Sequence, residues 1–252
     1  MSGHSKWAQI KRKKAVTDAK RGAVFAKIAK EIMVAARLGG PDPDHNFRLR
    51  FAIEKAKANL VPANNIQRAV EKGSGQASGE GNIEEIIYEG YGPGGIGVMV
   101  LCTTDNKNRT VQDLRSYFTK CGGKLAESGA VSWMFSKCGE IKLPANLSKS
   151  QEKLYELAIN AGAVDIDLAD NTNPTIITKP EELEKVQKNI TAHNIKIEEV
   201  QMTFRPKEHV EITDPDTATN LISLMEAIEE HDDVQNVFSN FDIKEGILTE
   251  SQ

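Results

Sequence analysis

The sequence predicts an α+β protein of several domains, with an N-terminal helical domain and two α/β domains, one inserted in the other. Three observations predict this class. Apolar residues recur at helical spacing up to about residue 75 and afterwards at the spacing of strands. A stretch rich in Gly and Ser separates the two patterns. Charge is divided too: residues 1–75 contain 16 Lys and Arg against 6 Asp and Glu, although the whole chain has a net charge of −4.

Three helices are predicted in the N-terminal part. The first extends from Asp18 to Leu38, because apolar residues form one stripe along it and basic residues lie on the opposite side. A second is predicted from about Asp44 to Asn59, and a short third helix follows Pro62, which the first turn of a helix accepts. The Gly and Ser residues of Gly73–Gly81 predict a flexible linker.

Strand patterns begin after the linker. Strands are predicted over Ile83–Glu89, Gly95–Leu101 and Ala130–Phe135. Thr110, with Asp113 three residues later, has the pattern of a capping box, which predicts that a helix starts there. This part therefore contains both strands and a helix.

The next part of the chain predicts elements in the order β-α-β-β-α-β, which is the order of ferredoxin-like domains. One more helix and a last strand follow it. The predicted domains are a basic helical domain at 1–75, a discontinuous α/β domain at 82–137 and 206–242, and an inserted ferredoxin-like domain at 138–205.

The basic N-terminal part indicates a polyanionic partner, because clustered Lys and Arg in an acidic protein are typical of nucleic-acid binding. The alternative is a well-solvated helical surface. The candidate nucleic-acid-binding residues are Trp7, Lys11, Arg12, Lys13, Lys14, Lys20, Arg21, Lys27, Lys30, Arg37, Lys107 and Arg109.

Two of these candidates have a second interpretation. Trp7 lies four residues before the basic run and could stack on a base, or it could anchor the N-terminal arm to the helices. Lys107 and Arg109 lie in a polar stretch that either contacts an anion or partner or simply forms a loop and a helix cap.

The sequence shows no pattern of an enzyme. Gly90–Gly95 matches G-x-G-x-x-G, but a strand follows it where a dinucleotide site needs a helix, so a hairpin turn is expected. The five histidines have no zinc-site spacing. We therefore expect no metal, no organic cofactor, no small-molecule substrate and no catalytic residue. Three unpaired cysteines, no membrane-spanning segment and no secretory signal indicate a cytoplasmic protein.

Several motifs together resemble the YebC/PmpR family across nearly the whole chain. They are Gly3–Trp7 with the basic run Lys11–Lys14, Asn64–Gly73, Tyr88–Gly95, Thr104–Thr110 and Gly129–Phe135. The resemblance implies three domains, one helical and two α/β, and no agreed catalytic residue. It also implies a bacterial transcriptional regulator that binds promoter DNA. Mitochondrial relatives are translational activators, and bacterial members are linked to ribosomes stalled on proline-rich stretches.

Three functions stay open at this point. The first is a DNA-binding transcriptional regulator. The second is a ribosome-associated translation factor that acts on stalled, proline-rich synthesis, with ribosomal RNA or the ribosome as its partner. The third is an interaction scaffold without direct nucleic-acid contact. No recognition helix with an obvious base-reading side is evident from the sequence, which favours backbone or structured-RNA binding over sequence-specific repression.

Overall fold

The computed structural model describes residues 18–75, 83–149, 151–168, 173–244 and 247. The described residues divide into two compact units. The larger unit contains 18–134 and the residues from 208 onwards, and the smaller unit contains 135–207. The chain therefore leaves the larger unit once and returns to it. The predicted linker lies largely outside the described residues.

Three helices begin the larger unit: α1 (Asp18–Gly39), α2 (Phe47–Ala58) and α3 (Ala63–Gly73). They share one apolar core, because each contributes residues at helical spacing to a common interior. Its buried members are Ile28, Ile32, Ala35, Ala36, Leu49, Ala52, Ala56, Val61, Ile66 and Ala69. These are small and medium side chains, which allow the three helices to approach closely.

Asn46 fixes the corner between α1 and α2. Its side-chain oxygen accepts a hydrogen bond from the Leu49 amide at 3.0 Å, which caps the start of α2. Its side-chain nitrogen donates to the carbonyls of Ala35 at 2.8 Å and Gly40 at 2.7 Å. One buried side chain thus supplies hydrogen bonds to backbone groups at the end of one helix and at the start of the next.

Four strands follow in the larger unit: β1 (Glu84–Tyr91), β2 (Gly97–Thr104), β3 (Lys124–Ala126) and β9 (Val234–Ser239). They form an antiparallel sheet in the order β3-β1-β2-β9. The helices α4 (Lys107–Lys120) and α7 (Pro215–Glu230) pack with this sheet. A parallel pair, β8 (Val210–Ile212) and β10 (Phe241–Ile243), completes the unit.

The smaller unit has the order β-α-β-β-α-β. Its elements are β4 (Phe135–Lys142), α5 (Gln151–Ala161), β5 (Asp165–Asp167), β6 (Thr175–Thr178), α6 (Leu183–Ala192) and β7 (Glu199–Pro206). The antiparallel sheet has the order β5-β6-β4-β7, which is the ferredoxin-like arrangement. On this sheet Arg205 is paired with Glu140 and Asp167.

The predicted class, N-terminal helices followed by helices and sheets, is confirmed, while the domain boundaries stay a prediction. Two element predictions were wrong. The helix predicted to start at Thr110 is α4, which starts at Lys107, because the Asn106 side chain accepts from the Arg109 amide and caps it. The strand predicted over Ala130–Phe135 is a loop and a short 3-10 turn, and β4 begins only at its last residue.

The backbones of α1 and α3 approach each other closely at Gly73. A Cβ atom added at this position would lie 2.3 Å from the backbone carbonyl oxygen of Met33 in α1. We expect Gly73→Ala to lower the free energy of unfolding by about 1–3 kcal/mol, because backbone must shift to relieve the overlap. Gly22, also helical, has no neighbour within 4 Å of such a Cβ, so Gly22→Ala should raise stability by up to about 1 kcal/mol. Urea unfolding of both variants measures this, and equal effects would contradict it.

Candidate nucleic-acid interface

The candidate residues fall into three groups. Trp7 and Lys11–Lys14 lie outside the described residues. Lys20 and Arg21 belong to the first turn of α1. We call residues 83–134 and 208–244 the sheet-containing part of the larger unit. The other candidates all contact residues of this part; they are Lys27, Lys30, Arg37, Lys107 and Arg109. The candidate list as a whole stays a prediction.

The basic side of α1 contacts the end of α7. Lys27 Nζ donates to the Glu229 carbonyl at 2.6 Å, and Lys30 Nζ donates to the Asp232 carbonyl at 3.0 Å. Carbonyl groups at the C-terminal end of a helix carry partial negative charge, which favours nearby cations. Arg37, further along the same side, donates to the Ile83 carbonyl at 2.8 Å. The side of α1 that the sequence marks as cationic therefore lies against the sheet-containing part.

Asp233, which directly precedes β9, is the centre of these contacts. Its side chain is only 3% exposed. One carboxylate oxygen accepts from Lys30 Nζ at 2.8 Å, and the other accepts from Arg109 Nη2 at 2.8 Å and from the hydroxyls of Thr110 at 2.9 Å and Thr104 at 3.1 Å. We call these five residues the Asp233 cluster. It joins α1, β2, α4 and the start of β9 through one carboxylate.

The cluster keeps the Asp233 carboxylate ionised. Burial alone would raise its pKa, but the hydrogen bonds from Arg109, Lys30 and Thr110 outweigh burial and hold the pKa well below its usual range. Arg109 also pairs with Asp105 at 3.0 Å, and its own pKa is raised, chiefly by the hydrogen bond and charge of Asp233. Arg109 and Asp233 therefore each stabilise the charged form of the other.

His231 fixes the backbone that presents Asp233. Its Nδ1 accepts from the Asp233 amide at 3.1 Å, and its Nε2 lies 3.1 Å from an oxygen of Asp113 on α4. The Tyr117 ring packs edge-on against the imidazole. An open cleft of about 590 Å³ lies beside the cluster, and its lining includes both Lys30 and Arg109.

The exposed side of α3 is a feature that the sequence reasoning missed. The four-residue turn between α2 and α3, residues 59–62, has the length found in helix-turn-helix motifs. Ile66 and Ala69 face the core, whereas Asn64, Asn65 and Arg68 are exposed. Amide and guanidinium side chains near the start of a second helix are those that read base edges. In the sequence, the Asn and Arg residues that alternate with apolar residues could have indicated this exposed polar side of α3.

A second missed feature is the loop before Trp133. The Glu89 carboxylate is buried and accepts from the amides of Gly129 at 2.8 Å, Val131 at 2.7 Å and Ser132 at 2.8 Å. These bonds hold the loop in place of the predicted strand. They leave Trp133 64% exposed, which is uncommon for so large an aromatic residue.

The fold and the charge pattern define a class: a multidomain α+β protein with a basic helical part. Comparison with models of protein families identifies the family within this class. Residues 5–76 match the model described as the TACO1/YebC protein N-terminal domain, and residues 83–241 match the TACO1/YebC second and third domain. The chain therefore belongs to the TACO1/YebC family, and the resemblance seen in the motifs is confirmed.

Similar proteins extend over the same length. A probable transcriptional regulatory protein of Aquifex aeolicus is 51% identical over 98% of both chains, and one of Desulfotalea psychrophila is 50% identical over 98% of both. The crystal structure of a conserved hypothetical protein from Aquifex aeolicus superposes with a TM-score of 0.85 at 49% identity, covering 94% of this chain and 96% of that one. In the described part of the chain, every helix is too short or too polar to cross a membrane.

The Asp233 cluster predicts a specific pH dependence of stability. Asp233→Asn should lower the free energy of unfolding at neutral pH by about 2 kcal/mol, because charge-assisted hydrogen bonds contribute roughly that much. The folded-state pKa of Asp233 lies below its unfolded value. Its contribution is therefore complete above the unfolded pKa of about 3.9 and is lost as the pH falls below it.

Urea unfolding of wild type and variant between pH 7 and pH 2 measures this contribution. The difference between the two proteins should shrink as the pH falls below about 4. A difference that stays constant down to pH 2 would show that the Asp233 charge does not stabilise the fold.

Proposed function

We propose that this protein is a non-catalytic regulator of gene expression that binds nucleic acid directly, as a DNA-binding transcriptional regulator. The observation that carries the proposal is the exposed side of α3, with Asn64, Asn65 and Arg68 near the start of the second helix of a helix-turn-helix connection. The name shared by the similar proteins, probable transcriptional regulatory protein, supports the same function.

Two parts of the N-terminal 75 residues have different roles in this proposal. The basic arm Lys11–Lys14 neutralises phosphate groups, which gives affinity and salt dependence but little sequence information. The side chains of α3 contact base edges and supply preference for particular sequences. An Asn amide fits the edge of adenine, and an Arg guanidinium fits that of guanine. Exposed Lys57 and Lys72, at the ends of α2 and α3, add positive charge near this surface.

A second candidate function is a translation factor that binds ribosomal RNA on stalled ribosomes. The same side of α3 favours it as well, because amide and guanidinium groups also bind unstacked bases of structured RNA. The two candidates differ in the expected ligand: the first requires preference among DNA duplexes, and the second requires association with ribosomes and little preference among duplexes.

The basic arm should control affinity. Changing Lys11, Arg12, Lys13 and Lys14 together to Ala should weaken binding to nucleic acid without unfolding the protein. If each residue neutralises one phosphate, the salt slope for duplex DNA should fall by about 0.9 for each phosphate that is no longer neutralised, or by about 0.7 for single strands. The measurement is binding to random duplex, single-stranded RNA and purified ribosomes over a salt series.

A matched control carries the same charge change in the smaller unit. Four exposed lysines there can be replaced by Ala together: Lys153, Lys179, Lys185 and Lys196. They should leave binding nearly unchanged. Arm and control variants with equal affinity and salt slope on all three ligands would contradict the proposed role of the arm. Trp7→Ala separates the two roles of that residue: a stacking Trp7 affects affinity only, whereas an anchoring Trp7 affects the melting temperature.

The α3 side chains should control sequence preference. We expect wild type to enrich a motif from a randomised duplex library, and the triple variant Asn64→Ala, Asn65→Ala, Arg68→Ala to lose most of that enrichment. The variant should change the salt slope by about one unit at most, because only Arg68 carries charge. Removing each base-reading side chain should reduce the free-energy difference between the preferred base and the other bases by about 1–3 kcal/mol. Equal enrichment by both proteins would exclude α3 as the reading helix, and ribosome binding without any enrichment would favour the translation factor.

A further inference from the structure

We propose that Asp233 competes with nucleic acid for Lys30 and Arg109, so that the Asp233 cluster limits how many cations the protein offers to phosphate groups. This inference rests on the proposed function and concerns the regulation of the same interface. It follows from the position of the two cations. The sequence pattern predicts that they bind a polyanion, whereas in the structure both are paired with the internal anion Asp233.

The first step is the chemical equivalence of the two acceptors. Asp233 offers two anionic oxygens, and each one binds a different cation at 2.8 Å. A phosphate group of a nucleic-acid backbone offers the same combination of negative charge and oxygen acceptors to Lys and Arg. Lys30 and Arg109 can therefore exchange one partner for the other without an unsatisfied donor remaining on either side chain. Asp233 then keeps only the hydroxyls of Thr104 and Thr110 as donors, so the exchange has an energetic cost that nucleic acid must offset.

The second step is access. The side chain of Arg109 is 49% exposed and that of Lys30 is 23% exposed, although Asp233 itself is 3% exposed. Both cations border the open cleft beside the cluster. A guanidinium has five donors, so Arg109 can bind an incoming phosphate with other nitrogens before Nη2 leaves Asp233. The competitor is thus buried, whereas the cations it holds can be reached from solvent.

The third step is the electrostatic balance of the cleft. Besides Asp233, its lining includes the carboxylates Asp105, Asp113, Glu230 and Asp232. These outnumber Lys30 and Arg109, so the surface around the paired cations repels a polyanion. The internal pairs are partly buried and are screened by salt less than exposed phosphate contacts are. Asp233 should therefore hold the cations at ordinary ionic strength, whereas at low salt the stronger phosphate contacts should displace it.

The decisive experiment measures binding of a 20-base-pair random duplex over a salt series by wild type and Asp233→Asn. The asparagine keeps the shape but removes the charge that holds the two cations. We expect the variant to bind about three- to tenfold more tightly at low salt. Two released cations should steepen the salt slope by up to about 1.8, at about 0.9 for each phosphate contact.

Two controls separate competition from other effects of the substitution. Asp216→Asn removes the same charge from the exposed first turn of α7, far along the helix from the cluster. It should bind like wild type. Asp233→Asn combined with Lys30→Ala and Arg109→Ala lacks the cations that are to be released, so it should lose the gain. An equal gain in Asp216→Asn, or a gain that persists in the triple variant, would overturn the proposal.

A second measurement on wild type covers the case in which Asp233→Asn fails to fold. The side-chain nitrogen signals of Lys30 and Arg109 can be followed by NMR during titration with the same duplex. Exchange of partners predicts that both signals shift when the duplex saturates the protein at low salt. Unchanged signals in the protein bound at low salt would overturn the proposal. If wild type binds no nucleic acid, the proposed function fails; if it binds and Asp233→Asn shows no gain, only the competition is excluded.

Discussion

One buried carboxylate, that of Asp233, connects the helical region to the sheet-containing region of the larger unit. A buried charge is costly unless its hydrogen-bond acceptors are all used. Asp233 meets this requirement with a lysine from α1, an arginine and a threonine from α4 and a threonine from β2. The arrangement of these elements and the ionised state of Asp233 therefore depend on each other, and removal of either partner cation leaves charge unbalanced in the interior.

The contacts of this carboxylate also change how the excess of positive charge in the first 75 residues is interpreted. Counting residues shows an excess of positive charge in the first 75 and suggests a surface available to a polyanion. In the structure part of that excess is neutralised within the protein, by Asp233 and by carbonyl groups at the end of α7. Sequence counting cannot distinguish the two cases, because Lys30 and Asp233 are separated by 203 residues.

The elements that the sequence predicted well are those with local causes. The end of α1 has a local cause, because Gly39-Gly40-Pro41 stops the apolar spacing, and the predicted end at Leu38 differs from the observed Gly39 by one residue. One error was local, because Asn106 and not Thr110 caps α4. The other errors occurred where a distant group decides the local structure. The loop before Trp133 is held by Glu89, some 40 residues earlier, and the parallel pair β8 and β10 forms from short segments far apart in the chain. Lys27, Lys30 and Arg37 lie on the predicted first helix, whereas Lys107 and Arg109, expected in a loop, belong to α4. The internal partners of these side chains could not be predicted from the sequence.

The packing of α1 leads to the last step of the interpretation. One side of α1 belongs to the core shared with α2 and α3. Val34 is also buried but lies outside that core, on the same side as Lys27, Lys30 and Arg37. Two sides of α1 are thus covered, so a large partner can contact the described helical region mainly through α2 and α3. If the protein binds nucleic acid as proposed, base contacts are then expected from α3, and the cations of α1 add affinity only when nucleic acid displaces their internal acceptors.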